Sequence, residues 1–218
     1  MIETAPDSTT RLGGWLFRHR TALPLPVAVA LLTLRIGEAT PSAALTAAGV
    51  AITVAGELLR MWGVQHIGAI SRTRSDRLGP LVSSGPFAYL RNPLYVGNIA
   101  LWVGFAVTAR LLWLAPAIAV MLGLEYHAIV RWEEQLLESR LGDAYRTYAA
   151  RVPRWLPASD RRARGRLGAQ HVSAVLSASS AVSASSDGSF SWGDVLFSER
   201  GTLIAIAVGY LLLWMKLR

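Results

Sequence analysis

The sequence predicts an all-α fold: a polytopic membrane helical bundle of four to five transmembrane helices with a cytoplasmic amphipathic helix. Three observations predict it. Of the 218 residues, 52% are hydrophobic and 17% are charged, against about 25% charged in an average soluble domain. The apolar residues gather into runs near the length that crosses a bilayer, about 20 residues of helix. The basic residues, 21 of 22 of them arginine, lie between those runs with a strong bias to one side.

Taken in order, residues 1–21 are a cytoplasmic N-terminal segment, polar and then basic. In it Leu12, Trp15, Leu16 and Phe17 are spaced for one face of a short interfacial helix. Residues 22–157 form the membrane domain. Its first run, Ala22–Ile36, is short for a span and carries two prolines. The second, Ala43–Val64, is long enough and holds Glu57 and Arg60, which at i, i+3 can pair on one helix face. The third, Pro93–Ala109, is separated from the fourth, Leu111–Val130, by Arg110 alone, so the two pack as antiparallel neighbours. From about Glu133 to Ala150 the spacing of Leu136, Leu137, Leu141, Tyr145 and Tyr148 among charges predicts the amphipathic helix. Residues 158–198 read as a linker, an arginine cluster and then a Ser/Ala-rich stretch, too poor in large apolar side chains to offset ordering entropy. Residues 199–218 carry a last apolar run, Thr202–Met215, whose 14 residues leave a short span and an interfacial segment both open.

Arginine placement orients the bundle. Three arginines fall in residues 1–21, five in 60–92 and nine in 131–166, while the opposite ends hold only Arg35 and Arg110. The N-terminus, the loop between the second and third runs, and the segment after the fourth are therefore expected in the cytoplasm. At 1.5 Å per residue, Tyr95 and Glu133 lie about 24 Å and 33 Å from the Arg110 hairpin. Both stand at the same membrane face on adjacent helices.

Composition also excludes chemistry. The chain has no cysteine, so disulfides, thiolate nucleophiles and cysteine-ligated metals are ruled out. Its histidines, His19, His66, His127 and His171, lack the i, i+4 pairing of a zinc helix. No G-x-G-x-x-G dinucleotide loop occurs. The formal charge of +8 suits an anionic partner, and in so apolar a chain that partner is membrane lipid rather than nucleic acid.

Two polar clusters at the inferred cytoplasmic face carry the functional signal. The first is Arg91-Asn92-Pro93-Leu94-Tyr95-Val96-Gly97. Pro93 suits the first turn of a helix, which leaves Arg91 before a helix N-terminus, where the macrodipole disfavours a cation and an anionic neighbour would relieve the conflict. The second is Glu133-Glu134, followed by Gly142, Tyr145 and Tyr148 and then Val152-Pro153-Arg154-Trp155-Leu156-Pro157. Taken singly, each has a plain reading: arginines snorkelling to lipid phosphate, tyrosines in an interfacial belt, carboxylates paired in solvent. Glu125 and His127 are ionisable groups inside the fourth run, functional candidates by default, and His127, Arg131 and Glu134 share one helix face.

Together the clusters resemble the isoprenylcysteine carboxyl methyltransferase and phospholipid N-methyltransferase families of integral membrane enzymes. Those families share Arg-His-Pro-x-Tyr-x-Gly, two spans' worth of sequence, Glu-Glu, and a Gly-x-x-Tyr-x-x-Tyr stretch ending in Val-x-Arg and proline. The resemblance covers about residues 55–157. It implies a methyltransferase that uses S-adenosylmethionine on a lipid-soluble or lipidated acceptor, by carboxylate O-methylation or amine N-methylation. It implies that Asn92, Pro93, Tyr95, Gly97, Glu133, Glu134, Tyr145 and Tyr148 hold the cofactor, with Arg91 and Arg154 at the catalytic mouth. Carboxylates and aromatic faces are what a cationic sulfonium requires. The sequence departs from the pattern at Asn92, where the families often have histidine; an amide neither takes up nor releases a proton at neutral pH. Two alternatives remain open: a membrane NADPH-dependent reductase of sterol-reductase type, with Arg72, Arg74 and Arg77 as phosphate ligands, and a non-catalytic membrane module.

Overall fold

A computed structural model describes residues 8–68, 81–157 and 191–218, and in them every regular element is helical. In chain order these are α1 (Ser8–His19), α2 (Leu25–Thr33), α3 (Ala43–Ile67), a short 3₁₀ turn (Gly85–Ala88), α4 (Pro93–Thr108), α5 (Leu114–Leu141), α6 (Asp143–Arg151) and α7 (Trp192–Leu217). Three of them, α3, α5 and α7, are long and apolar enough to cross a membrane, and α4 is a shorter apolar helix. The protein is an integral membrane helical bundle.

Three sequence-based expectations change. The run Ala22–Ile36 holds less helix than expected: α2 has 9 residues, about 14 Å at 1.5 Å per residue, and the turn after α1 supplies the rest of its path between the two ends of the bundle. Pro24 sits at its N-cap and Leu34 is already extended at its C-cap, so the helix is bounded at both ends. The last run is longer than its apolar core, because α7 starts at Trp192, inside the expected linker. The Ser191 side chain accepts from the Asp194 amide, and the Asp194 carboxylate accepts from the Ser191 amide in return, which fixes the start of a 26-residue helix. The amphipathic stretch from Glu133 is not separate either. α5 runs unbroken through Glu133 to Leu141, and the chain breaks only at Gly142, whose φ of 53° is in the left-handed region that glycine takes at little cost. The rest of the expected linker, residues 158–190, lies outside the described residues.

Close packing of α3 on α4 sets the frame. Gly49, Gly56 and Gly63 recur at seven-residue spacing along α3 and face Gly104, Gly97 and Leu94 of the antiparallel α4. A β-carbon at Gly56 would stand 2.7 Å from the Gly97 carbonyl oxygen, and one at Gly104 would stand 2.7 Å from that of Gly49. Small residues let membrane helices approach until their backbones touch. Gly104→Val is therefore expected to lower stability by about 1–3 kcal/mol, the usual cost of overpacking, read as a fall in thermal midpoint in detergent. Gly123→Val, at a site with nothing within 4 Å, is the matched control and should leave the midpoint in place.

The expected hairpin between the third and fourth runs is present. Arg110 turns the chain at φ 63°, its carbonyl accepts from the Ala39 amide at 2.8 Å, and its guanidinium pairs with Glu38 at 3.3 Å. At the same end Lys216 of α7 is buried, donating to the Leu31 carbonyl at 2.9 Å and to that of Leu34. Deeper in the bundle the expected Glu57–Arg60 pair forms at 3.2 Å. Arg60 also binds Glu199 of α7 at 2.7 Å and the side chain of Asn98. Burying an arginine between two carboxylates and an amide ties α7 to α3 and α4.

Candidate functional site

The two sequence clusters meet at the end of the bundle opposite the Arg110 hairpin. The segment that leads into α4 is held from both sides. On one side, Gly85 (φ 57°) lies against the His66 ring of α3, where a β-carbon would come within 2.4 Å. On the other, the Tyr148 hydroxyl of α6 donates to the Phe87 carbonyl at 2.8 Å. Tyr145, Tyr148 and Val152 pack with Leu81, Leu137 and Leu141 in a small core of their own.

Beyond α6 the tail folds back onto α4. The Arg91 amide donates to the Pro153 carbonyl at 2.9 Å, and the Asn92 side-chain amide donates to the Arg154 carbonyl at 3.1 Å. Asn92 thus joins the two motifs without needing to ionise, which is a use for an amide where the family pattern has histidine.

Glu134 is the junction of the charged residues. Arg154 grips it with both edges of its fork, Nε to Oε1 at 3.0 Å and Nη2 to Oε2 at 2.6 Å. Arg91 Nη1 reaches Oε1 at 2.9 Å. Two guanidiniums on one carboxylate is the arrangement that relieves Arg91 at the start of α4. The Glu134 hydrogen bond holds the Arg154 guanidinium above its ordinary pKa. Burial, and then the Glu134 charge, push the Tyr145 phenol up to about 12, so it stays neutral. Burial raises Tyr148 as well.

Glu133, the adjacent carboxylate, points another way. Its Oε1 accepts from the Tyr95 hydroxyl at 3.0 Å, and Tyr95 stacks on Tyr126 with ring centroids 4.7 Å apart. The His127 and Trp155 rings lie 6.4 Å apart, inclined by 30°, so that helix face meets the returning tail through His127 and Glu134, while Arg131 is exposed.

The structure therefore brings together Arg91, Asn92, Tyr95, Glu133, Glu134, Tyr145 and Arg154. Tyr148 braces the segment from behind. Pro93 and Gly97 face α3 instead, against Gly63 and against Gly56 and the Arg60 stem. Arg72, Arg74 and Arg77 lie outside the described residues. Sequence reading missed the N-terminal helix altogether as part of this region. A β-carbon at Gly13 of α1 would overlap the Ala128 carbonyl of α5, at 2.0 Å, and Phe17 lies 4.9 Å from the Trp132 ring. The adjacent glycines Gly13 and Gly14 were the available signal for such close contact.

A family model described as phospholipid methyltransferase matches residues 44–144. The nickel-cobalt-cadmium resistance protein NccN of Alcaligenes xylosoxydans xylosoxydans is 32% identical over 162 residues, 72% of this chain and 73% of that protein. The cobalt-zinc-cadmium resistance protein CzcN of Cupriavidus metallidurans is 29% identical over 109 residues, 50% of this chain and 46% of that protein. The match to the family model runs from α3 to the start of α6 and takes in both the Arg91 segment and Glu133-Glu134. The chain belongs to the phospholipid methyltransferase family of integral membrane proteins.

Proposed function

We propose that the protein transfers a methyl group from S-adenosylmethionine to a lipid-soluble or lipidated acceptor, at the cytoplasmic face of the membrane. The observation that carries this reading is the joining of Tyr95–Glu133 and Arg91–Glu134–Arg154 at one end of the bundle, where a tail folds over the α4 entry. The residues fit the donor. Glu133 supplies a carboxylate for its hydroxyl or amino groups, and the Tyr95–Tyr126 stack supplies aromatic faces for a sulfonium. Arg91 Nε is buried with no hydrogen-bond partner among the described residues, one donor at the site left for a bound anion to satisfy.

When bound, the donor supplies an electrophilic methyl group, whose carbon–sulfur bond breaks as the acceptor's lone pair forms the new bond. The chain's part is positioning and the exclusion of water. Glu134 holds Arg91 and Arg154 in fixed directions, Asn92 ties the tail across the site, and neutral Tyr145 fills the space behind them. The NADPH reductase alternative gains nothing from the relatives, whose names concern metal resistance. Methylating an anionic acceptor removes a negative charge that can hold a divalent cation, which links the proposed activity to those names. No group of three His, Asp or Glu residues placed to hold a metal occurs among the described residues.

The test is transfer of label from methyl-labelled donor, with membrane extract as acceptor. Label is expected in the organic phase, and recovery only in the aqueous phase would contradict a lipid-soluble acceptor. Because the chain has no cysteine, orientation can be read from single introduced thiols. Ser75→Cys and Gly165→Cys are both expected to react from the cytoplasmic side, and labelling of the two from opposite sides would overturn the topology.

A further inference from the structure

Arg20 stands just after α1 and outside the span matched by the family model. Its side chain is half-buried. The guanidinium lies over the Phe17 ring at 3.9 Å, and Nη1 is buried with no hydrogen-bond partner among the described residues. Phe17 in turn packs on the Trp132 ring at 4.9 Å, one residue before Glu133 on α5, so Arg20 stands at the Tyr95–Glu133 end of the bundle. α1 is pressed onto α5 through Gly13 and Gly14, which contact Ala128 and Trp132, so the approach of Arg20 to this cluster is built into the helix packing. The other two arginines of the region, Arg91 and Arg154, already share the Glu134 carboxylate.

A buried guanidinium nitrogen with no hydrogen bond, such as Arg20 Nη1, is costly unless something anionic completes it. Here the nearby carboxylate, Glu133, is engaged with Tyr95. A cation stacked on Phe17, which packs on Trp132, and a carboxylate on the next residue of α5 are together the complement of a zwitterion. We propose that Arg20 and Glu133 together receive the α-amino-acid end of the methyl donor, Arg20 taking its carboxylate and Glu133 its ammonium. The N-terminal helix thereby completes the donor site. This rests on the donor reading above and adds a residue and a subsite to it.

The test is calorimetry on the full chain in detergent, comparing S-adenosylmethionine with its decarboxylated analogue. The wild type should prefer the intact donor by about ten-fold or more, the range of one charge-assisted bond. Arg20→Gln should lose that preference by weakening only the intact donor, and Arg20→Lys should retain part of it. An unchanged preference in Arg20→Gln would overturn the proposal while leaving the donor reading in place. A loss of acceptor turnover with donor preference intact would equally overturn it, by moving the anion site to the acceptor. No binding of either compound by the wild type would remove the donor reading itself, and this subsite with it. Should Arg20→Gln fail to give a cooperative melt, the Arg20→Lys variant decides: full wild-type preference there and in the presence of added phosphate would contradict a fork-shaped carboxylate contact.

Discussion

Replacing Glu134 with alanine is expected to lower stability by about 3 kcal/mol, the lower end for breaking a buried ion pair, and to abolish turnover. The carboxylate is the common partner of Arg91 and Arg154, and its removal leaves two guanidiniums facing each other without an anion. Arg154 keeps 27% of its side-chain exposure, so water will relieve part of the cost on that side. The hydrogen bonds from the Arg91 amide and from Asn92, with the packing of Trp155 and Val152, would then hold the fold-back. The check is the thermal midpoint of the variant in detergent together with proteolysis of the tail beyond Arg151. A midpoint equal to that of the wild type would mean that Glu134 does not hold the site together.

Replacing Glu133 with glutamine should have the opposite profile. The amide oxygen can still accept from the Tyr95 hydroxyl, so the thermal midpoint should barely move. What is lost is the negative charge, and donor affinity should fall about ten-fold or more, the size of one charge-assisted hydrogen bond. The contrast separates two adjacent carboxylates by role, Glu134 as frame and Glu133 as ligand. Equal losses of stability in Glu133→Gln and Glu134→Gln would erase the distinction.

Much of this was legible in the chain itself. The apolar runs and the lone Arg110 between two of them gave the α4–α5 hairpin, and the order of the two polar clusters gave the family. Glu57 and Arg60 gave their own pairing. Other features were hidden for definite reasons. Hydropathy counts residues and not backbone breaks, so Ala22–Ile36 read as a potential span although Pro24 and an extended Leu34 confine its helix to Leu25–Thr33. The start of α7 depends on a reciprocal cap between Ser191 and Asp194, a local signal that a polar linker composition conceals. The direction in which neighbouring carboxylates point could not be read either. Glu133 and Glu134 are about 100° apart on one helix, and only the path of the returning tail decides which of them meets Arg154. The three glycines at seven-residue spacing on α3 were in plain view, but their meaning needed the facing glycines of α4. Arg20 looked like one more basic residue before a span, because the packing of α1 onto α5 is a tertiary contact.

The most direct measurement is isothermal titration calorimetry of S-adenosylmethionine into the full chain in detergent micelles, beside the Glu133→Gln variant. A single saturable site in the wild type, weakened about ten-fold or more in the variant, is the predicted result. No heat of binding at millimolar donor, from a wild-type sample that melts cooperatively, would contradict it.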